Sequence, residues 1–139
     1  MISILTMVIL MTSSVQAASV PSLPPCPEKP NCVSSQATDS HHIEPFKAIE
    51  DAGVAFEKLR KLLIQRTDTK LVSSDDTTIR VEFRTALGFV DDGLFVLDSA
   101  NGLIHIRSAA RLGYWDLGKN RSRMEEIRQS FESVSRISH

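Results

Sequence analysis

Ile79, Val81 and Phe83 alternate with Arg80, Glu82 and Arg84. A period of two sends successive side chains to opposite faces, so this stretch predicts a strand with one buried and one wet side. Leu103 to Ser108 repeats the pattern, with Ile104 and Ile106 on one side and His105 and Arg107 on the other. Phe95 and Leu97 mark another strand, and Asp98-Ser-Ala-Asn-Gly102 supplies a turn whose Asn-Gly pair favours a tight hairpin. A shorter strand, Lys70 to Ser73, precedes these three. Four strands with short connections predict an antiparallel meander, not a βαβ unit.

On either side the period lengthens. From Asp51, residues Ala52, Ala55, Phe56, Leu59, Leu62 and Leu63 recur at helical spacing, with Glu57, Lys58, Arg60 and Lys61 opposite, and this helix should end near Thr67. Met124, Ile127, Phe131, Val134 and Ile137 predict a C-terminal amphipathic helix, with Asn120 placed to act as its N-cap. Residues 51–139 therefore read as an α+β core: an antiparallel sheet of about four strands with two amphipathic helices on one face. Residues 18–50 show no period and are rich in Pro, Ser, Asp and His. They read as an extended arm of the same domain, anchored by Val33, Ile43 and Phe46.

Residues 1–17 read as a cleavable signal peptide. The apolar run from Met1 to Met11 falls short of the ~20 residues that span a bilayer, and Val15-Gln16-Ala17 fits a small-x-small cleavage site. The expected location is periplasmic or secreted, with no stable membrane anchor after cleavage. In such a compartment Cys26 and Cys32 should form a disulfide across a short ring. Their spacing is not CxxC, and the rival zinc site with His41 and His42 would need adjacent residues of an extended chain to face one way. Lys and Arg number 16 against 17 Asp and Glu, a net charge of −1. That balance gives no long-range attraction to nucleic acid.

Candidate chemistry gathers on the wet face and in the loops beside it. Arg84, His105 and Arg107 lie there by alternation. Asp91 and Asp92 come from the loop before Phe95, and Arg111, Asp116, Asn120 and Arg123 follow the last strand, beside Tyr114 and Trp115. Guanidinium groups beside aromatics suit a carboxylate or phosphate, because the planar fork donates two hydrogen bonds. The competing possibility is a lattice in which Arg84, Arg107 and Arg111 are satisfied by Asp91, Asp92 and Asp116. Asp91, Asp92, Asp116 and His105 form a candidate cation site for a metal-assisted hydrolase. Ser108 with His105 and either Asp91 or Asp92 has the composition of a nucleophilic triad. In a regular strand, however, residues 105 and 108 leave opposite faces, and no Gly-x-Ser-x-Gly elbow is present. HExxH, Walker and Gly-x-Gly-x-x-Gly motifs are absent, so no cofactor and no catalytic residue is assigned. Asn120-Arg-Ser122 matches a glycosylation sequon.

Cys-Pro-Glu-Lys-Pro-Asn-Cys-Val-Ser-Ser-Gln (26–36), Gly-Phe-Val-Asp-Asp (88–92) and Ile-Arg-Ser-Ala-Ala-Arg-Leu-Gly-Tyr-Trp-Asp-Leu-Gly-Lys-Asn-Arg (106–121) resemble domain-of-unknown-function family 1499. The resemblance implies no particular activity and supplies no catalytic residues. Two departures stand out: the family usually carries a Glu where this chain has Leu94, and often Ser where Ala110 stands. The expectation is an exported, non-enzymatic module binding a small polar or anionic ligand or a protein partner. A metal-assisted hydrolase and a structural envelope component are the alternatives.

Overall fold

A computed structural model describes residues 11–14 and 19–137. The signal-peptide reading falls largely on residues 1–10 and 15–18, and its cleavage motif lies outside the described residues. In chain order the elements are β1 (Cys32–Ser34), β2 (Phe46–Lys47), α1 (Ala52–Gln65), β3 (Thr69–Ser74), β4 (Thr78–Arg84), β5 (Val90–Asp98), β6 (Leu103–Ala110) and α2 (Lys119–Ile137). The fold is α+β with one antiparallel sheet, ordered β1-β6-β5-β4-β3, and β2 also pairs with β6.

The sheet has six strands because the arm contributes two. β1 and β2 lie end to end along the outer edge of β6, and Ser35 bridges the gap between them. Its N–H donates to the Ile106 carbonyl and its Oγ accepts from the Ile106 N–H, each at 2.9 Å. Strands of three and two residues are too short to show a period.

α1 begins where Asp51 caps it, its Oδ1 accepting from Val54 N at 3.0 Å. Ala55, Phe56, Leu59 and Leu63 turn inward from α1, and Met124, Ile127 and Phe131 from α2. They pack on Ile79, Val81, Phe83, Phe95, Ile104 and Ile106 of the sheet and on Val33, Ile43 and Phe46 of the arm. Phe46 stacks on Phe131 at 5.6 Å between ring centroids. Past Phe131 the apolar stripe of α2 leaves the core: Ser135 is buried and Ile137 is exposed.

Three local expectations change. Asp91 and Asp92 lie within β5, not in a loop. The β5–β6 turn closes on four residues, since Asp98 pairs directly with Leu103. Asn120 sits buried inside α2, and Asp116 does the capping instead: its Oδ1 accepts from Gly118 N at 2.9 Å and its Oδ2 from Asn120 N at 3.0 Å.

Candidate functional site

Register divides the candidate residues between the two faces of the sheet. Phe83 pairs with Asp91, Gly93 with Ser108 and Asp91 with Ala110, so Asp91 and Ser108 point toward the helices. Glu82 pairs with Asp92 and Leu94 with Arg107, and these point away. Asp91, Asp92, His105 and Asp116 are therefore not brought together. Among the described residues no three His, Cys, Asp or Glu side chains are placed to hold a metal ion. Ser108 and His105 leave opposite faces, as their spacing requires.

Under α2, Arg123 reaches Asp91 with Nη1 to Oδ2 at 2.8 Å, both side chains almost wholly buried. The approach is an ion pair without hydrogen-bond alignment, and Arg123 Nη2 has no hydrogen-bond partner. The guanidinium lies 4.7 Å over the Phe83 ring. Room for that ring comes from Gly93, where a Cβ would stand 2.5 Å from Phe83. Beside this pair, Ser108 Oγ donates to Asn120 Oδ1 at 2.5 Å, and Asn120 Nδ2 donates to Asp116 Oδ2 at 2.8 Å and to the Asn31 carbonyl at 3.2 Å. Asn31 in turn donates from Nδ2 to the Gly113 carbonyl at 2.7 Å. Ser108, Asn120 and Asp116 thus fasten α2 and the loop before it to the sheet. The Asn120 sequon side chain is committed to that network and buried.

On the opposite face, Arg111 clasps Asp92 with two hydrogen bonds, Nη2 to Oδ1 at 2.6 Å and Nε to Oδ2 at 3.2 Å. It also reaches Glu82 at 3.2 Å, and Glu82 approaches Arg84 at 3.7 Å. Asp92 and then Glu82 hold the Arg111 guanidinium well above its ordinary pKa. Arg107 stands apart from this lattice. It faces Leu94, its Nη2 donates to the Pro25 carbonyl at 3.2 Å, and its Nε is buried without a hydrogen-bond partner. Burial pushes its pKa down, with the Asp92 charge opposing.

His105 joins residues that alternation did not group with it. Its Nδ1 lies 3.3 Å from Ser35 Oγ and its Nε2 lies 3.3 Å from Asp98 Oδ2. Asp98 is held below its ordinary pKa, chiefly by the Asn101 side chain and then by His105. The order Ser35–His105–Asp98 is that of a proton relay. Ser35 Oγ also accepts from Ile106 N–H, so the trio ties the arm to β6.

Among the clefts on the described surface, two lie beside the arm. One of about 320 Å³ lies between the arm and the turn after β1, lined by Leu23, Pro25, Gln36, Asp39 and His41 among others. The other, about 180 Å³, is lined by His41, Asp116 and Arg121 among others. Neither is lined by Arg84, Asp92, His105, Arg107 or Arg111.

A different feature emerges at one end of the sheet. β6 runs antiparallel to β5, so the 85–89 and 111–118 loops emerge side by side, joined by a hydrogen bond from Arg111 N to the Val90 carbonyl at 3.1 Å. Leu87, Phe89, Leu112, Tyr114, Trp115 and Leu117 all project from these loops into solvent. Leu117 is 97% exposed and holds φ at +53°, a region that bulky residues avoid. The loops are nevertheless tied down. Asn31 grips Gly113, Asp116 caps α2, and Phe89 N donates to Thr85 Oγ1 at 3.0 Å. Sequence patterning passed over Asn31, Ser35 and these leucines. Leu87-Gly-Phe89 and Leu112-Gly-Tyr-Trp-Asp-Leu117, apolar residues concentrated in glycine-bearing loops, were the available signal.

No curated protein and no solved structure matches the chain. The family model described as protein of unknown function (DUF1499) matches residues 22–131, from the disulfide arm through most of α2. That span holds the paired aspartates, the capped 111–118 loop and the buried network beneath it, and the chain belongs to this family.

Proposed function

We propose that this protein is an exported, non-enzymatic module that docks on a partner surface through the apolar end of its sheet. One observation carries the reading: six large apolar side chains face water on two loops whose backbones are tied by side-chain hydrogen bonds from Asn31, Thr85 and Asp116. Exposed apolar surface weakens solubility, and a fold that holds it rigid keeps it ready for contact. A small anion at the arginine face would have to displace the carboxylates already clasped by Arg111. The Cys26–Cys32 bond supports the export part of the reading, since such bonds persist in oxidising compartments.

The test is site-specific photocrosslinking in the native host. A crosslinker at position 117 should give adducts, whereas one at Gln129, exposed on α2, should give few or none. Equal labelling at the two positions would remove the docking reading. Leu117→Ser should leave the melting temperature nearly unchanged, because almost none of that side chain is buried.

A further inference from the structure

We infer that the surface met by this apolar end is a lipid bilayer carrying anionic headgroups; the inference rests on the docking reading above and names its partner. Size favours lipid over protein. The contact comprises two loops of five and eight residues, whereas a stable protein interface takes roughly 20–30 residues from each side. Inserting a few side chains into the headgroup region requires no such area. Chemistry points the same way. Trp115 and Tyr114 pair edge to face at 5.1 Å, and rings with one polar atom on an apolar body settle at membrane–water boundaries. Leu87, Leu112 and Leu117 reach out beside them as apolar wedges.

Charge completes the match. Arg84 and Lys119 border the loops, while Arg111 beside them is already neutralised by Asp92 and Glu82. The acids that balance the two arginines, Glu82 and Asp92, form a strand pair two positions farther from the loops than Arg84 and Val90. Asp116, the one acid within the loops, has both carboxylate oxygens occupied by the N-terminus of α2. Lys119 makes no ion pair among the described residues. Cations therefore lie nearest the apolar tip and acids behind them, the order that suits an anionic surface. No helix among the described residues is long and apolar enough to cross a membrane.

Trp115 is the chain's only tryptophan, so its fluorescence reports on the tip alone. The full chain is titrated with vesicles of phosphatidylglycerol and phosphatidylcholine, and with vesicles of phosphatidylcholine alone. Emission should shift to the blue and be quenched by lipids brominated in the upper acyl chain, more strongly on the anionic vesicles and less at high salt. Leu112→Ser with Leu117→Ser should weaken the apparent affinity at least about tenfold. Lys119→Gln should weaken it about fivefold on anionic vesicles only. Trp115 emission unchanged at saturating lipid would overturn the inference. In that case, protein adducts from position 117 would leave the docking reading standing with a protein partner, and a lack of adducts would remove both.

Discussion

Two arginine–aspartate pairs, one on each face of the sheet, show how much environment decides what a charge does. Arg123 and Asp91 meet at 2.8 Å beneath α2, almost wholly out of water. Arg111 and Asp92 meet at 2.6 Å with about half of each side chain exposed. Removing one partner of the buried pair strands the other in a medium that solvates it poorly, at a cost of about 3–5 kcal/mol. Removing one partner of the exposed pair leaves a hydrated ion, at a cost of at most about 1 kcal/mol. Urea melts should therefore rank Arg123→Ala far below Arg111→Ala in stability, with Arg123→Met plus Asp91→Leu recovering much of the loss. Equal costs would mean that the buried pair is solvated by something the fold does not reveal. Alternation placed Arg107 on the polar face but could not assign its neighbour. Register sets it against Leu94, which leaves Asp92 to Arg111.

At the scale of elements, the short loop before α2 does more than connect. Asp116 accepts from two main-chain N–H groups at the start of the helix and from the Asn120 side chain, while Leu117 holds a left-handed backbone between them. Asp116→Ala should cost about 1–2 kcal/mol through the lost cap. It should also speed amide exchange in residues 111–118 while leaving β4 and β5 unchanged. Uniform acceleration across the sheet would show that the cap supports the whole fold and not the tip. Elements with an uninterrupted period were plain in the sequence: α1, β4 and β6 follow their apolar spacing closely. β5 was half hidden because its core-facing positions include Asp91 and Gly93, one charged and one without a side chain. β1 and β2 were hidden because pairing with β6, not periodicity, makes them strands. Asn120 has the composition of a cap, and only burial against Ser108 shows that it lies inside the helix.

For the molecule as a whole, the question is what keeps an arm with so little secondary structure on the sheet. The Cys26–Cys32 bond closes a ring that includes Lys29, and His41 ties that ring to the turn after β1. Its Nε2 lies 2.7 Å from the Lys29 carbonyl and its Nδ1 lies 2.8 Å from Asp39 Oδ1. Both neighbours are acceptors, so both nitrogens donate only in the imidazolium form. The Lys29 carbonyl first, and then Asp39, accordingly raise the pKa of His41 above the ordinary histidine value of 6.5, against the opposing charge of Arg121. Arg121 itself fixes the same turn to α2 by donating to the His42 and Ser40 carbonyls at 2.8 and 3.0 Å. A raised folded pKa means that the folded state holds the proton more tightly than the unfolded chain. The stabilisation is therefore complete below pH 6.5 and is lost as pH rises through the folded value. Exchange protection in residues 34–42 should fall across that window while the β4–β5 ladder keeps its own, and His41→Gln should flatten the dependence. An arm equally protected on both sides of the window would mean that the disulfide and the Ser35–Ile106 bonds hold it unaided. A falling curve would make the arm the part of this fold that responds to the acidity of its surroundings.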